Sequence, residues 1–392
     1  MTRIAKHAPT ARALKRALLR VCAALGLFRL TSRLFAHHLQ ILCYHGFQLA
    51  DECHFRPQLF ISRERFEGRL LHLVREGFVV LPLGEALTRM WNGTLPRRSL
   101  AITIDDGFKS THSVAGPLLL HFRLPATIYV TTYYMEKQAP VFRLAMQYLF
   151  WRRSAREPDQ ATLGLLAALA ARLPDQQAAG SSTRPAARNG SYNNTTAAQA
   201  TTHKLTWDLI QYGESLDSEA ERQSLLRKVA RILAIDTTCL DEAQPLSIMS
   251  REEVCSLSKQ GFDIQLHTHR HRFPCQDRSS ARAEIIQNQA RLEAITGQPA
   301  RHFCYPSGIF VTSQWPWLQE LGIESATTCL PGLNTPWTPR YELRRFLDSE
   351  DIALIEFEAE LAGFGEFLRR IRRWVAPGRS APSPQNAVRS DS

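Results

Sequence analysis

The sequence predicts an α/β protein built on a parallel sheet. Short apolar runs alternate with helical patterns from Gln40 to about residue 135, and the same alternation resumes near residue 246. Strands that alternate with helices pair in parallel, because each helix carries the chain back to the starting edge of the sheet. Three polar segments also fall at the ends of apolar runs: Tyr44-His45-Gly46, Thr103-Ile104-Asp105-Asp106-Gly107 and His267-Thr268-His269-Arg270-His271. In barrels of this class, functional side chains stand at the C-terminal ends of the strands.

Taken in order, Ile41-Leu42-Cys43-Tyr44 reads as a strand ending at His45. Ser62 to Glu76 reads as a helix, with Phe66, Leu70, Leu73 and Val74 on one face and Gly77 as its stop. Phe78 to Leu83 and Leu100 to Ile104 are strands, the second ending at Asp105; a helix over 111–122 and a strand from Ala126 to Thr131 follow. In the second half, Ser250-Arg251-Glu252-Glu253 is a capping box that opens a helix closed by Gly261. Phe262 to Leu266 is a strand ending at His267, 279–296 a helix, and Arg301 to Tyr305 and Glu324 to Thr328 two further strands. The barrel-forming stretches are therefore 38–135 and 246–350.

Between them lies an insertion, 136–245. Helical patterns run from Val141 to Trp151, Ala161 to Leu173 and Ser218 to Ile235. The tract 174–203 is rich in Ala, Ser, Thr, Asn and Gln and short of large apolar residues, so it reads as a disordered loop. The Asn189, Asn193 and Asn194 sequons inside it read as accidents of composition. Residues 351–375 read as one amphipathic helix with the stripe Leu354, Phe357, Leu361, Phe364, Leu368 and Ile371; 376–392 reads as a disordered tail.

The chain has 392 residues and a net charge of +11. The excess sits at its ends: residues 1–40 hold eight Lys and Arg and no acid, and 369–373 read Arg-Arg-Ile-Arg-Arg. In 1–37, Leu14, Leu18, Val21, Leu25 and Phe28 form one helical stripe, with Lys15, Arg16 and Arg20 off it. Arg20 interrupts the apolar run and no clean cleavage site follows, which argues against a signal peptide. The run also falls short of the ~20 residues of a spanning helix. A basic amphipathic helix is left, lying either on an anionic membrane surface or against the domain. The eight cysteines contain no Cys-x-x-Cys pair, which excludes a zinc ribbon and points to free thiols in a reducing compartment.

The polar segments together supply two adjacent carboxylates, two imidazoles four residues apart and one early histidine, the set a mononuclear metal hydrolase needs. Asp106, His267 and His271 are candidate ligands of one divalent ion: two imidazoles and a carboxylate suit Zn²⁺ or a similar ion with positions left open for water. The i, i+4 spacing lets both imidazoles point one way. A polar turn beside a surface histidine cluster is the plain alternative. Asp105 is the candidate general base, because a metal-neutralised neighbour leaves it ionised. His269 is directed away from its neighbours and is not a ligand.

The segments also resemble the polysaccharide deacetylases, the NodB-like carbohydrate esterases of family 4. That family's T-F-D-D-G is matched by Thr103 to Gly107, with Ile104 in place of Phe; its H-S/T-x-x-H by His267, Thr268 and His271; its aromatic-x-Y-P-Y-G by Phe303-Cys304-Tyr305-Pro306-Ser307-Gly308. One branch carries the early Y-H-G, here residues 44–46. The resemblance covers roughly 40–134 and 246–347. It implies a distorted (β/α)7-type barrel, with the helical insertion as an addition. It implies Asp105 as base, Asp106 as ligand and one Zn²⁺, or Ni²⁺ or Co²⁺. It also implies that Ser307, which stands where the family has tyrosine, supplies a backbone N–H to the oxyanion, and that Tyr305 faces the oxyanion and substrate. No histidine follows His302, so the family's C-terminal Leu-x-His acid is missing; the Y-H-G branch implies His45 in that role. Arg345 matches an arginine that would pair with Asp105, although a surface arginine is an alternative.

The resemblance implies a bacterial hydrolase of carbohydrate metabolism. It would remove an N-acyl group, expected to be acetyl, from a cell-envelope sugar or polysaccharide. The basic ends add an expectation of action at the cytoplasmic face of the inner membrane, on a saccharide that lipid could carry. Two other readings stand beside it: an inactive deacetylase-like glycan-binding or scaffold protein of envelope polysaccharide synthesis, and a nucleic-acid binder, for which charge is the only signal.

Overall fold

The computed structural model describes residues 11–153, 159–171, 197–216 and 218–375. Its strands are β1 (Gln40–Tyr44), β2 (Gly46–Phe47), β3 (Phe60–Ile61), β4 (Val79–Val80), β5 (Ser99–Ile104), β6 (Thr127–Val130), β7 (Asp263–Leu266), β8 (His302–Cys304), β9 (Ser325–Thr327) and β10 (Phe346–Leu347). The main sheet runs β10-β1-β5-β6-β7-β8-β9, with β4 added beside β5, and every pairing is parallel. β2 and β3 form a separate parallel pair.

The sheet curls until its two edges share one segment. Thr327 bridges Leu343 in parallel, and the Leu343 N–H donates to Ala326 while the Thr328 N–H donates to the Leu343 carbonyl. Three residues later the same segment pairs with β1, Leu42 opposite Phe346 and Cys43 opposite Leu347. Leu343 to Leu347 thus closes an α/β barrel of distorted shape. Strands buried on both faces read as continuous apolar runs; all six residues of β5 are buried, as are Ile264, Gln265 and Leu266 in β7.

The helix at Arg251–Lys259 starts where the capping box puts it: the Ser250 hydroxyl accepts from the Glu253 N–H, and the Glu253 carboxylate accepts from the Ser250 N–H. Ser218 makes the same pair of bonds with Glu221 in front of Glu219–Ile232.

Several expectations need correction. The described part of 1–37 is two helices, Ala11–Ala24 and Leu27–Leu34, and 351–375 is likewise two, Leu354–Leu361 and Phe364–Val375. Both breaks fall at glycines in the left-handed region, Gly26 (φ 77) and Gly363 (φ 72), where a side chain would strain the turn. At Gly363 a Cβ would also meet the Phe35 ring at 2.7 Å. Phe78 to Leu83 yields only the two-residue β4, followed by an unanticipated helix, Leu83–Trp91. The helix expected over 111–122 opens with a π-helical turn, Thr111–Ala115. In the insertion, Phe142–Arg153, Gln160–Ala170 and Glu219–Ile232 are joined by a further helix, Ala197–Ser215. The end of the tract assigned to a disordered loop, 197–203, is therefore helical; its remainder up to 196, with the sequons, lies outside the described residues, as does the tail 376–392. Alanine and glutamine are good helix formers, and Leu209 and Ile210 are buried. The low count of large apolar residues in 174–203 hid the first signal, and Leu209 and Ile210 lie beyond that tract.

Candidate active site

The three polar segments meet at the C-terminal ends of β1, β5 and β7. Asp105 and Asp106 follow β5 directly. Asp106 has φ 66 and Gly107 φ 78, so the chain leaves the strand through two left-handed residues. Glycine suits the second, where φ is positive and a Cβ would stand a tight 3.1 Å from the Val130 side chain. The turn after β7 is strained too: Thr268 (φ 63) and His271 (φ 56) are left-handed, as is Ser307 (φ 54) after β8. A β-branched threonine at positive φ is costly, and such strain gathers where the surrounding structure holds a site in shape.

His267 Nε2 lies 3.1 Å and His271 Nε2 3.3 Å from the same oxygen, Asp106 Oδ1. The two rings stand edge to face, with centroids 4.8 Å apart. Two partners orient His267. Its Nδ1 lies 2.8 Å from the Cys304 carbonyl, and its N–H donates to Asn288 Oδ1 at 2.9 Å. A carbonyl only accepts, so Nδ1 carries the proton and Nε2 is left with a lone pair facing a carboxylate oxygen. Two acceptors at that distance need a cation between them, either a second proton or a metal ion. Ligand atoms about 2.0–2.2 Å from a tetrahedral ion lie about 3.3–3.6 Å apart, close to the separations here. The donor set therefore fits a divalent metal, and the orientation of His267 through its other nitrogen is the usual support of a metal-binding imidazole. With a proton on each Nε2 in place of a metal ion, hydrogen bonds from His267 and His271 outweigh the burial that would raise the Asp106 carboxyl and hold it well below the ordinary range.

Asp105 lies deeper. Arg345, fully buried, donates from Nη1 to Oδ1 and from Nη2 to Oδ2, both at 2.7 Å. The thiols of Cys304 and Cys43 reach Oδ2 at 3.3 and 3.5 Å. Arg345 is itself fixed by Nε to the Thr328 carbonyl and by Nη1 to Thr103 Oγ1. Burial opposes ionisation of Asp105, and Arg345 overcomes it, so the carboxyl sits well below its usual range. His45 Nε2 is 3.7 Å from Asp105 Oδ2. Burial lowers the His45 imidazole from its ordinary 6.5, although both aspartates pull the other way.

His269 is turned away: its Nδ1 bonds Thr132 Oγ1 at 2.9 Å, and burial followed by Arg291 and Arg270 pushes its pKa down to about 4. Ser307 is exposed at the tip of the turn after β8. Tyr305 differs from the expectation that it faces substrate. Its ring is buried and stacked on Phe310 at 4.8 Å, and its hydroxyl donates to the Tyr341 carbonyl. The side chain packs the wall, so only the backbone near it is open to a substrate role.

The supporting roles of four residues escaped the sequence reading. Asn288 holds the His267 backbone and donates to the Val130 carbonyl and Thr132 Oγ1. It stands on the inward face of Arg278–Thr296, between the buried Ile285 and Leu292, and a polar residue at an apolar position was the signal available. Cys304, Cys43 and Thr103 surround Asp105 and Arg345; Thr103 and Cys304 stand in the quoted motif segments, but which way a small strand residue faces is not carried by its motif.

Residues 217–326 match the sequence family described as Polysaccharide deacetylase. The deacetylase match takes in both histidines and the turn at Ser307 but not the aspartate pair, and it spans less than a third of the chain. In fold, the chain is similar to the Streptococcus pyogenes deacetylase PplD in complex with acetate: 14% identity, 83% of this chain and 99% of that one covered, TM-score 0.52. It is also matched to IcaB from Ammonifex degensii (16% identity, 83% and 97% covered, TM-score 0.49) and to a de-N-acetylase from Aggregatibacter actinomycetemcomitans (12%, 82% and 99%, 0.49). No curated protein matches the chain. The likeness to PplD carries the fold, a curled parallel sheet with helices outside it. No helix among the described residues is long and apolar enough to cross a membrane.

Proposed function

We propose that the protein is a metal-dependent hydrolase that removes an N-acyl group, acetyl foremost, from a cell-envelope sugar or polysaccharide. The observation that carries this reading is the convergence of His267 Nε2 and His271 Nε2 on Asp106 Oδ1, with His267 locked in the tautomer that leaves Nε2 free. The deacetylase segment and the PplD-like fold support it.

Asp106, His267 and His271 would hold one divalent ion, Zn²⁺ or else Ni²⁺ or Co²⁺. When bound, that ion supplies Lewis acidity, polarising the amide carbonyl and lowering the pKa of a water. The chain's own residues do the rest. Asp105 stays ionised at every working pH through Arg345, and accepts the water's proton at Oδ2, the oxygen nearest His45. Its low basicity makes it a transient holder, and His45 Nε2, 3.7 Å away, takes the proton on to the departing amine. The Ser307 N–H, at the exposed tip of its turn, would face the oxyanion. The substrate reading extends to a saccharide carried on lipid at the cytoplasmic face of the membrane, which the basic amphipathic ends support.

One observation favours the other reading, an inactive glycan-binding relative: Asp105 Oδ2 already faces Arg345 and two thiols, which crowds the oxygen a base would use. The decisive experiment is elemental analysis of the purified protein beside His267→Ala, followed by an acetate-release screen on N-acetylated sugars with Asp105→Asn as control. About one ion per chain, lost in His267→Ala, with release abolished in a metal-replete Asp105→Asn, is the expected result. Metal-free protein that takes up none on reconstitution would sink the hydrolase reading.

A further inference from the structure

The helices Ala11–Ala24, Leu27–Leu34, Leu354–Leu361 and Phe364–Val375 pack around their own small core of Leu19, Ala359 and Phe364, with Phe28 against Phe364 at 5.2 Å. What they turn away from that core is apolar. Leu14, Leu18, Val21 and Leu25 are 54–72% exposed, and Leu30 and Leu34 63% and 61%. Positions 14, 18, 21 and 25 fall on one helical face. The sequence stripe faces outward from Leu14 to Leu25, and its last member, Phe28, turns inward; Leu19, off the stripe, is buried in the small core. On Phe364–Val375 the apolar stripe starts buried at Phe364, passes through Leu368 and Ile371, and ends at Trp374, 83% exposed. An outward helix face in water ordinarily carries charge.

Charge decides what this face fits. Most acids of the cluster are engaged by Lys or Arg: Glu356 by Lys15 and Arg16, Glu360 by Arg369, Glu366 by Arg369, Arg370 and Arg373, and Asp351 by Arg12, while Glu358 faces His72 at 3.9 Å. Among the described residues, Arg20, Arg29, Arg33 and Arg372 have no ion pair. Arg29 and Arg33 alternate with Leu30 and Leu34 along the exposed face of Leu27–Leu34. Outward leucines, a terminal tryptophan and uncommitted guanidiniums are the chemistry of a surface that sinks a few ångströms into acyl chains while its cations meet anionic head groups.

We propose that this four-helix cluster, made from both ends of the chain, is a docking surface for an anionic lipid bilayer. The surface sharpens the membrane part of the reading above and is independent of the catalytic part. It also sets an orientation. The Arg16 guanidinium reaches the carbonyl of Asp351, just beyond β10, so the start of Ala11–Ala24 lies toward the C-terminal strand ends that carry the candidate site.

The test is co-sedimentation of the full-length protein with phosphatidylcholine vesicles, with and without phosphatidylglycerol. Two variants accompany it, Arg20→Gln/Arg29→Gln/Arg33→Gln/Arg372→Gln and Leu18→Asn/Leu25→Asn/Trp374→Ser, all substitutions at exposed positions. Expected is binding that needs phosphatidylglycerol, weakens with salt, and falls about five-fold for each cation removed, with a comparable loss in the apolar variant. Three results would each overturn the proposal: wild type that ignores both vesicle types, a four-arginine variant that binds as wild type does, or a dimer in sedimentation equilibrium that the apolar variant dissociates. Competition by DNA at equal charge would assign the face to nucleic acid and overturn it as well. Metal content measured on the same samples separates a failure here from a failure of the hydrolase reading.

Discussion

Arg345 and Asp105 are joined by two parallel hydrogen bonds of 2.7 Å in a place where neither side chain is more than 2% exposed. Such a pair is weak evidence for stability as a pair, but losing one partner leaves a bare buried charge. Arg345→Met should lower unfolding free energy by about 3–5 kcal/mol, and Asp105→Asn in the same chain should recover part of that loss. Urea unfolding of the two singles and the double gives the coupling directly. Equal and additive losses would mean that the charges act separately.

His45 should govern one limb of the pH–rate profile. Burial lowers its imidazole below the ordinary 6.5, and a relay that must start neutral to take the proton from Asp105 loses activity as pH falls through its pKa, so the limb should lie on the acid side of that value. His45→Gln should remove the limb and reduce kcat by about 10²–10⁴-fold, with metal content unchanged. A profile that keeps its limb in the variant assigns the proton to another group.

Metal loading should stabilise the fold. An ion that binds only the native chain adds about 2.7 kcal/mol at a hundred times its Kd. Thermal unfolding with and without a chelator should therefore differ by several degrees in the wild type and hardly at all in His271→Ala. An unchanged wild-type midpoint would count against Asp106, His267 and His271 as a ligand set.

Ser307 offers a separation of backbone from side chain. At φ 54 it sits where glycine is more at ease, so Ser307→Gly should keep stability within about 1 kcal/mol. If the N–H is the working group, acetate release should stay within a few-fold. A large loss of kcat in Ser307→Gly would show that the hydroxyl matters.

Glu366 should tie the last helix to pH. Burial would raise its carboxyl, but hydrogen bonds from Arg370 and Arg369 lower it. A depressed folded-state pKa gives stability that is present above the unfolded value of about 4.3 and is lost as pH falls through the folded one. Glu366→Gln should cost about 1–3 kcal/mol at neutral pH and flatten the acid dependence between those two values. Denaturation midpoints at pH 7 and at the acid edge test this.

Much of the site was legible because its chemistry sits in short motifs at strand ends. The i, i+4 histidines, the Asp105-Asp106 turn and the Ser250 capping box each carry a local signal that survives without tertiary context. The closing segment at Leu343 was not legible, because a bridge and a two-residue strand have no periodicity to read. The inward face of Ala11–Ala24 was left open for a different reason: helical spacing identifies a stripe but not the side on which the protein lies. The break at Gly363 was visible as a glycine but masked by an apolar stripe running through it. Tyr305 was placed by its motif, and only packing against Phe310 shows that its ring belongs to the wall.

The barrel's closing segment lies late in the chain, while its partner β1 lies near the start. Asp105 meets Arg345 across 240 residues. On the ribosome, at about 5–20 residues per second, Asp105 must wait many seconds for its counter-charge, and the ring stays open until then. A nascent chain stopped before Leu343 would hold all three candidate metal ligands yet lack a closed barrel to keep them in register. The candidate site is thus complete only once Leu343 to Leu347 has been made: products that stop short of it would be left unfinished.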